Sequence, residues 1–291
     1  MLKTVTTARE LRMATTDWQR RNETIGFVPT MGALHEGHLA LVKKAQSLTT
    51  RTVVSIFVNP LQFIAGEDLS NYPRQLEGDA KKLESVNCDL LFAPTPEEMY
   101  PPTFKTQIDP GPLGNMLEGA IRPGHFTGMA TVVAKLFLQV MPDYACFGEK
   151  DYQQLQIVQQ IVNDLSIPVG IVPVPIMRDA DGLALSSRNA YLSATERKQA
   201  ALLPQTMFDV AQKLRDGGDA ETALEEGKKR LTEGGFRVDY LTLVDGRTLE
   251  PITAPQKNAR LLVAARLGKT RLLDNTNLLT ETPTTAFPEV A

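Results

Sequence analysis

Before about residue 178, two patterns of hydrophobic and polar positions alternate along the chain. Short apolar runs, most of them ended by glycine or proline, alternate with segments whose apolar residues recur at helical spacing. The runs lie at residues 25–28, 52–58, 88–94, 143–148 and 168–177, after a short strand at 3–5. Strand, helix, strand in this order predicts right-handed crossovers and a parallel sheet, so we expect an α/β domain.

The pattern changes from about residue 178 onward. Helical spacing predicts helices at 195–203, 204–215 and 220–231, and Ser193 with Glu196 predicts a capping box before the first of them. Strands are predicted at 237–245 and, around Gly268, within 259–279. We therefore expect two domains, residues 1–176 and a smaller α+β domain at 177–291, with a loose tail at 281–291.

The stretch 25–42 is the first candidate for chemistry. Its strand stops at Pro29, and Thr30, Met31 and Gly32 lead into a helix from about His35. A strand that feeds a helix through such a turn directs backbone N–H groups and a positive helix end at one place, which attracts phosphate.

Two histidines, His35 and His38, share the first turn of that helix. Their imidazoles suit donation to phosphate oxygens or to a leaving pyrophosphate. Two alternatives stay open: helix capping or packing, and metal coordination with His125 as a third ligand. HEGH is not the HExxH motif of zinc proteases, and the stretch contains neither GxGxxG nor a Walker loop.

Polar residues also follow two other predicted strands. Asn59 and Gln62 come after 52–58, and Lys150 and Gln154 come after 143–148. Ligands of open α/β sheets gather at the carboxyl ends of strands, so we expect these side chains to face the crevice of the histidines. For Asn59, a plain Asn-Pro turn is the alternative.

Two further polar groups precede helices. Arg122 stands just before the helix that His125 opens, and its planar fork suits a carboxylate or phosphate unless it is simply solvated. Ser186, Ser187 and Arg188 combine hydroxyls with a guanidinium and suit triphosphate oxygens, with a plain polar loop as the alternative.

Composition narrows the class of protein. The chain is 42% hydrophobic and 22% charged with a net charge of −3, which argues against a general nucleic-acid partner. Cys88 and Cys146 lie far apart and predict buried free thiols in a reducing compartment. The charged N-terminal residues and the lack of any 18-residue apolar run predict a cytoplasmic protein with no membrane segment.

Five ordered motifs resemble those of the pantoate–β-alanine ligase (pantothenate synthetase) family. They are PTMGALHEGH (29–38), FVNPLQF (57–63), RPGHF (122–126), FGEKDYQQL (147–155) and DGLALSSRNAYLS (181–193). The first is similar to the HxGH phosphate-binding signature of the nucleotidyltransferase superfamily. The resemblance runs to about residue 279.

The resemblance implies a Rossmann-like nucleotide-binding domain, a C-terminal lid domain that carries the SSR loop, and a homodimer. It also implies two steps: pantoate and Mg²⁺-bound ATP form pantoyl adenylate and pyrophosphate, and the amine of β-alanine then displaces AMP. Adenylation of this kind needs positioning and charge stabilisation rather than a protein nucleophile.

The resemblance further assigns roles to residues. His38 takes the family's proton-donor role, which we interpret mainly as hydrogen bonding to the leaving pyrophosphate; Gln62 and Gln154 bind pantoate, Gln62 also lies beside β-alanine, and Asp79 assists Mg²⁺. The expected catalytic residues are His35, His38, Lys150, Ser186, Ser187 and Arg188. The expected ATP-binding residues are Met31, Gly32, Ala33, Leu34, His35, Glu36, Gly37, His38, Gly148, Glu149, Lys150, Asp151, Met177, Leu185, Ser186, Ser187 and Arg188.

Three other functional classes remain open at this point. They are a nucleotidyltransferase of the same superfamily with no amine step, a metal hydrolase built on His35, His38 and His125, and a nucleotide sensor without catalysis. An amide product separates the ligase from the first, and metal analysis tests the second.

Overall fold

The structure is a computed structural model that describes residues 2–64, 66–67 and 69–278. It divides into two compact units. The first holds the residues up to Met177 together with Leu185–Ser187, and the second holds Arg178–Ala184 and the residues from Arg188 onward. The chain therefore leaves the first unit at Met177 and returns to it for three residues, which a single boundary after residue 176 did not anticipate.

The first unit alternates strands and helices, as the apolar pattern predicts. Its strands are β1 (Lys3–Val5), β2 (Ile25–Thr30), β3 (Arg51–Ile56), β4 (Leu90–Phe92), β5 (Tyr144–Gly148) and β6 (Gly170–Val174). Its helices are α1 (Ala8–Arg20), α2 (Glu36–Gln46), α3 (Leu76–Ser85), α4 (Pro96–Met99), α5 (Glu118–Ile121), α6 (His125–Val140) and α7 (Tyr152–Asp164). Single 3₁₀ turns occur at Pro60–Gln62, Gly111–Gly114 and Glu149–Asp151.

The six strands form one parallel sheet in the order β1-β4-β3-β2-β5-β6, which confirms the predicted α/β class. From β2 the chain builds outward through β3 and β4 on one side, whereas β5 and β6 lie on the other. The strand order thus reverses between β2 and β5. In open α/β sheets the ligand crevice lies at such a reversal, outside the carboxyl ends of the strands.

Helices cover both faces of this sheet, and each strand contributes alternately to the two sides. Phe27 packs in the cluster with Phe137 of α6, while the next residue, Val28, packs in the cluster with Val42 of α2. This double burial explains why the strands read as continuous apolar runs.

Both cysteines of the first unit are buried free thiols, as predicted. Burial raises the pKa of Cys146 to about 11 and that of Cys88 to about 12, so neither forms a reactive thiolate at neutral pH.

The second unit is the predicted smaller α+β structure. Its elements are α8 (Ala194–Gln199), α9 (Leu202–Arg215), α10 (Ala220–Glu233), β7 (Arg237–Asp245), β8 (Ala259–Leu267) and β9 (Thr270–Asn277). The strands form an antiparallel sheet in the order β7-β8-β9, and α9 and α10 bury Met207 and Leu231 in the same cluster as Leu261. The capping box of Ser193 and Glu196 forms as predicted.

Some predicted bounds shift for local reasons. The apolar run at 52–58 stops pairing at Ile56, because Asn59 and Pro60 open a 3₁₀ turn. The predicted tail at 281–291 lies outside the described residues. Within the part of the chain that the structure describes, no helix combines the length and apolar character needed to cross a bilayer.

Candidate active site

A tight loop joins β2 to α2 at the strand reversal. Gly32 and Ala33 both adopt left-handed backbone, with φ 86° and 50°. This conformation costs a non-glycine residue about 1–2 kcal/mol, so other contacts must hold Ala33 in place. The loop connects the carboxyl end of β2 at Thr30 to the start of α2 at Glu36.

His35 and His38 form a capping box at the start of α2. His35 is the N-cap, and its Nδ1 accepts the N–H of Gly37 at 3.1 Å. The Nδ1 of His38 accepts the N–H of His35 at 3.3 Å, and the two ring centroids lie 4.1 Å apart. A Cβ on Gly37 would come within 2.9 Å of Cε1 of His35, which explains the glycine of the HxGH motif. His35 and His38 therefore cap helix α2, as one of the alternatives for this pair predicts.

The capping bonds fix which ring nitrogen carries the proton. Because each Nδ1 accepts an N–H, the neutral rings must hold their proton on Nε2. Desolvation, followed by the neighbouring His35, lowers the pKa of His38 to about 3. At neutral pH His38 is therefore an uncharged N–H donor rather than an imidazolium acid.

Five backbone N–H groups of this loop are bonded within the protein. Gly32 N–H donates to the Thr30 hydroxyl, Ala33 and Leu34 donate to Asp79, and His35 and Gly37 donate to imidazole nitrogens. These internal bonds favour side-chain N–H groups as donors to phosphate; phosphate binding at this turn stays a prediction.

The end of β5 faces the same place. Gly148 ends the strand, Glu149–Asp151 form a 3₁₀ turn, and a Cβ built on Gly148 would meet no protein atom within 4 Å. The charges of Asp151 and Lys150 both act on the pKa of His38, in opposite directions. The structure therefore brings the predicted 148–151 group to the histidine pair.

A polar network orients Gln62, which lies in the turn after β3. The Oε1 of Gln62 accepts from Asn59 at 2.9 Å, and its Nε2 donates to the sulfur of Met31 at 3.2 Å. Asn59 is held in turn by the hydroxyl of Tyr100 at 2.8 Å and by the carbonyl of Gly128 at 3.1 Å. Asn59 also caps the 3₁₀ turn, which confirms the predicted Asn-Pro turn. Its side chain is buried and bonded within the protein, so it supports Gln62 rather than facing the crevice itself.

His125 and Arg122 support the backbone of Gln62. Buried His125 bonds the carbonyl oxygen of Gln62 through Nδ1 at 2.7 Å, and its Nε2 lies 3.1 Å from Arg122. Burial, followed by Arg122, lowers the pKa of His125 to about 4. Arg122 itself grips the carboxylate of Glu67, with one N–O distance of 2.9 Å, so it is neither solvated nor open to substrate.

Neighbouring glutamines on α7 have different surroundings. Gln153 is buried and ties three backbone groups, the N–H of Glu118 and the carbonyls of Leu113 and Met116. Gln154 is half-buried in the first turn of the helix, next to the 148–151 group. The structure thus separates the structural glutamine from the predicted pantoate-binding one.

The predicted serine loop is divided between the units. Met177 lies beside α2, with its Cβ 3.8 Å from a Cβ built on Gly37, and its carbonyl accepts Leu185 N–H at 2.9 Å. Ser187 lies 3.5 Å from the hydroxyl of Tyr72, a buried residue that sequence reasoning missed. Arg188 belongs to the second unit, so its phosphate contact stays a prediction from the motif.

Asp79 does not fit the role of a magnesium ligand. Its buried carboxylate accepts Ala33 N–H at 2.7 Å and Leu34 N–H at 2.8 Å, and the ammonium of Lys82 lies 3.9 Å away. Both oxygens and the adjacent charge are thus already compensated. Among the residues described, no group of three or more histidine, cysteine, aspartate or glutamate side chains is arranged to hold a metal, so the structure offers no support for a hydrolase metal centre.

A parallel sheet with paired imidazoles and a lysine at its strand reversal is typical of α/β enzymes that bind the phosphates of a nucleotide. The family model described as pantoate-beta-alanine ligase matches residues 3–277. The pantothenate synthetase of Hyphomonas neptunium is 50% identical over 277 residues, which cover 93% of this chain and 94% of that protein. This chain therefore belongs to the pantoate–β-alanine ligase family, and it is a ligase that joins pantoate to β-alanine.

Solved structures agree with this assignment. Pantothenate synthetase from Thermus thermophilus superposes with a TM-score of 0.90 at 49% identity, covering 95% of this chain and 99% of that one. The pantoate-beta-alanine ligase of Francisella tularensis has a TM-score of 0.83 at 35% identity, covers 97% and 99%, and is complexed with β,γ ATP and β-alanine. The resemblance inferred from the five motifs is confirmed.

Proposed function

We propose that this site condenses pantoate with β-alanine through a pantoyl adenylate, using ATP. One observation carries the proposal: two imidazoles, each with its Nδ1 accepting a backbone N–H, stand beside Lys150 at the point where the strand order reverses. The ATP complex of the Francisella relative supports the choice of nucleotide. ATP would lie along 31–38 and 148–151, with Met177, Leu185, Ser186 and Ser187 lining the same site.

In the first step a carboxylate oxygen of pantoate attacks the α-phosphorus of ATP. The new P–O bond forms as the bond to the bridging oxygen breaks, and pyrophosphate leaves with that electron pair. The Nε2–H groups of His35 and His38 donate to the oxygens that gain charge, and the ammonium of Lys150 supplies positive charge. No protein nucleophile takes part.

Pantoate carries hydroxyl groups as well as a carboxylate, and the side-chain amides of two glutamines can hydrogen-bond both kinds of group. The side chain of Gln62 is oriented by its hydrogen bond from Asn59, and Gln154 lies in the first turn of α7. Held between them, the carboxylate is positioned for attack, which converts a bimolecular encounter into a step within one complex.

In the second step the neutral amine of β-alanine attacks the acyl carbon of the adenylate. A C–N bond forms, the bond from the acyl carbon to the phosphate oxygen breaks, and AMP leaves while the amine loses a proton. The Francisella complex contains β-alanine as well as nucleotide, which supports a site for the amine here, and the motif resemblance suggests Gln62 as its neighbour.

Three coarser features complete the proposal. We propose that Mg²⁺ enters on the phosphates of ATP, as it often does in nucleotide enzymes, rather than through Asp79. A cytoplasmic location and a homodimer are proposed from composition and family resemblance. Size-exclusion chromatography with light scattering tests the dimer directly.

The test of function incubates the protein with Mg²⁺-ATP and pantoate, with and without β-alanine, and follows pyrophosphate, AMP and amide product. We expect pyrophosphate from the first mixture and AMP with pantothenate only when β-alanine is added. Pyrophosphate without any amide product would identify a nucleotidyltransferase instead. No pyrophosphate from folded protein would contradict the proposed reaction.

A further inference from the structure

The loop that presents the histidines is held from outside by one helix. Gly32 and Ala33, whose backbone is left-handed, lie outside any helix or strand. Their neighbour in space is the first part of α3, more than forty residues further along the chain, where Asp79 and Lys82 stand one turn apart.

Asp79 and Lys82 bond three consecutive backbone groups of this loop. The carboxylate accepts Ala33 N–H at 2.7 Å through Oδ2 and Leu34 N–H at 2.8 Å through Oδ1. The Nζ of Lys82 donates to the carbonyl of Leu34 at 2.5 Å. Asp79 is completely buried, and a buried carboxylate is tolerated only when charge and hydrogen bonds compensate it, as they do here.

We propose that Asp79 and Lys82 are positioning residues for ATP binding: together they clamp residues 33–34 so that the two imidazoles face the nucleotide phosphates. The clamp rests on the ATP site proposed above. It also explains why the loop has no backbone N–H left for phosphate at these two residues, since Asp79 takes both. The side chains act through the loop and touch no substrate.

The geometry distinguishes a clamp from a metal ligand. An asparagine at 79 has one acceptor oxygen in place of two, and its NH₂ group would face one of the two N–H donors. A clamp variant therefore loosens the loop whether or not a metal is present. Loss of a metal ligand, in contrast, changes ATP binding only when Mg²⁺ is supplied.

Matched variants isolate the clamp. Asp143→Asn is the control for Asp79→Asn, because the Asp143 carboxylate accepts Ile25 N–H at 2.7 Å at the opposite end of β2. Lys82→Met removes the donor to Leu34 together with the positive charge 3.9 Å from Asp79, at a side chain that is 41% exposed. Lys81→Met removes the same charge from the neighbouring exposed position.

Hydrogen exchange of residues 32–35 and the ATP Kd are measured for each variant, the latter by calorimetry with EDTA and with Mg²⁺. We expect Asp79→Asn to speed exchange in 32–35 and to raise the ATP Kd about tenfold in both buffers. Lys82→Met should raise the Kd about threefold and the KM for ATP, but not that for β-alanine. Both controls should stay within about twofold of the parent protein.

Unchanged exchange in Asp79→Asn, or an ATP effect confined to Mg²⁺ buffer, would overturn the clamp. Equal effects of Lys81→Met and Lys82→Met would overturn it as well, since bulk charge would then explain both. Should the parent protein bind no ATP, the proposed function fails while the exchange data still decide whether the clamp exists.

Discussion

His38 provides the sharpest test of how the site works. Its Nδ1 accepts the N–H of His35, so its Nε2–H is the donor that the ring can offer to a phosphate. Removing one such donor from a developing negative charge lowers the rate about 100-fold, which corresponds to about 2.7 kcal/mol. We therefore expect His38→Ala to slow single-turnover adenylate formation by about this factor.

Two more substitutions separate the roles of the ring nitrogens. Asparagine places an acceptor oxygen near the position of Nδ1 and keeps the bond from His35, but it has no donor near Nε2. Glutamine reaches the Nε2 position with an N–H and does not titrate. We expect His38→Asn to be as slow as His38→Ala, and His38→Gln to recover at least about tenfold.

The pH dependence provides an independent readout. Burial lowers the pKa of His38 to about 3, so the ring is uncharged from pH 6 to 8 and any protonated fraction falls tenfold with each pH unit. A mechanism that needs the imidazolium would lose rate tenfold per unit from pH 6 to 8. A neutral donor is fully present throughout that range, so we expect no slope from this residue.

The assay is rapid-quench measurement of pyrophosphate with enzyme in excess over ATP, and urea unfolding shows that each variant is folded. A glutamine variant as slow as the alanine variant, together with a tenfold loss per pH unit in the parent protein, would refute the neutral-donor mechanism and leave proton transfer in its place.

Two other predictions use neighbouring or equivalent positions as controls. In steady-state kinetics, alanine at Gln62 or Gln154 should raise the KM for pantoate more than the KM for ATP, and equal effects on the two would contradict a pantoate site. In urea unfolding, Gln153→Ala should lower the free energy of unfolding by at least about 2 kcal/mol, because it leaves three backbone groups without their hydrogen bonds. Gly37→Ala should slow adenylation about tenfold or more, because the new Cβ displaces the imidazole of His35. Gly78→Ala, whose Cβ would meet no atom within 4 Å, should raise the free energy of unfolding by about 0.5–1 kcal/mol and leave the rate unchanged, and equal rates for the two variants would contradict this.

Sequence patterns predicted the layout of the site because it depends on topology. Apolar runs that end in small residues placed the 31–38 and 148–151 segments at strand ends, and parallel strands bring their carboxyl ends to one edge. The order of strands in the sheet was not predictable from these runs. It was the placement of β2 beside β5 that made the two segments neighbours.

Contacts between distant residues were not predictable. Asp79 has the residue type of a metal ligand, and only the structure shows its two bonds to Ala33 and Leu34. Tyr100 directly follows helix α4 in a proline-rich stretch, and its hydroxyl holds Asn59, 41 residues earlier in the chain. Such partners carry no local periodicity, so a single sequence contains no signal for them.

The distribution of charge at this site suits a reaction that must release a polyanion. A hydrogen bond to phosphate from a charged donor contributes about 1.5–3 kcal/mol, against about 1 kcal/mol for a bond between neutral groups. A site lined only by cations would therefore bind pyrophosphate tightly and release it slowly after it forms. Here desolvation keeps His38 neutral while Lys150 provides positive charge close by. The imidazoles can therefore stabilise charge as it develops on the leaving group and still let the product go. This division of labour predicts that the cost of losing His38 appears in the adenylation step rather than in the affinity for pyrophosphate.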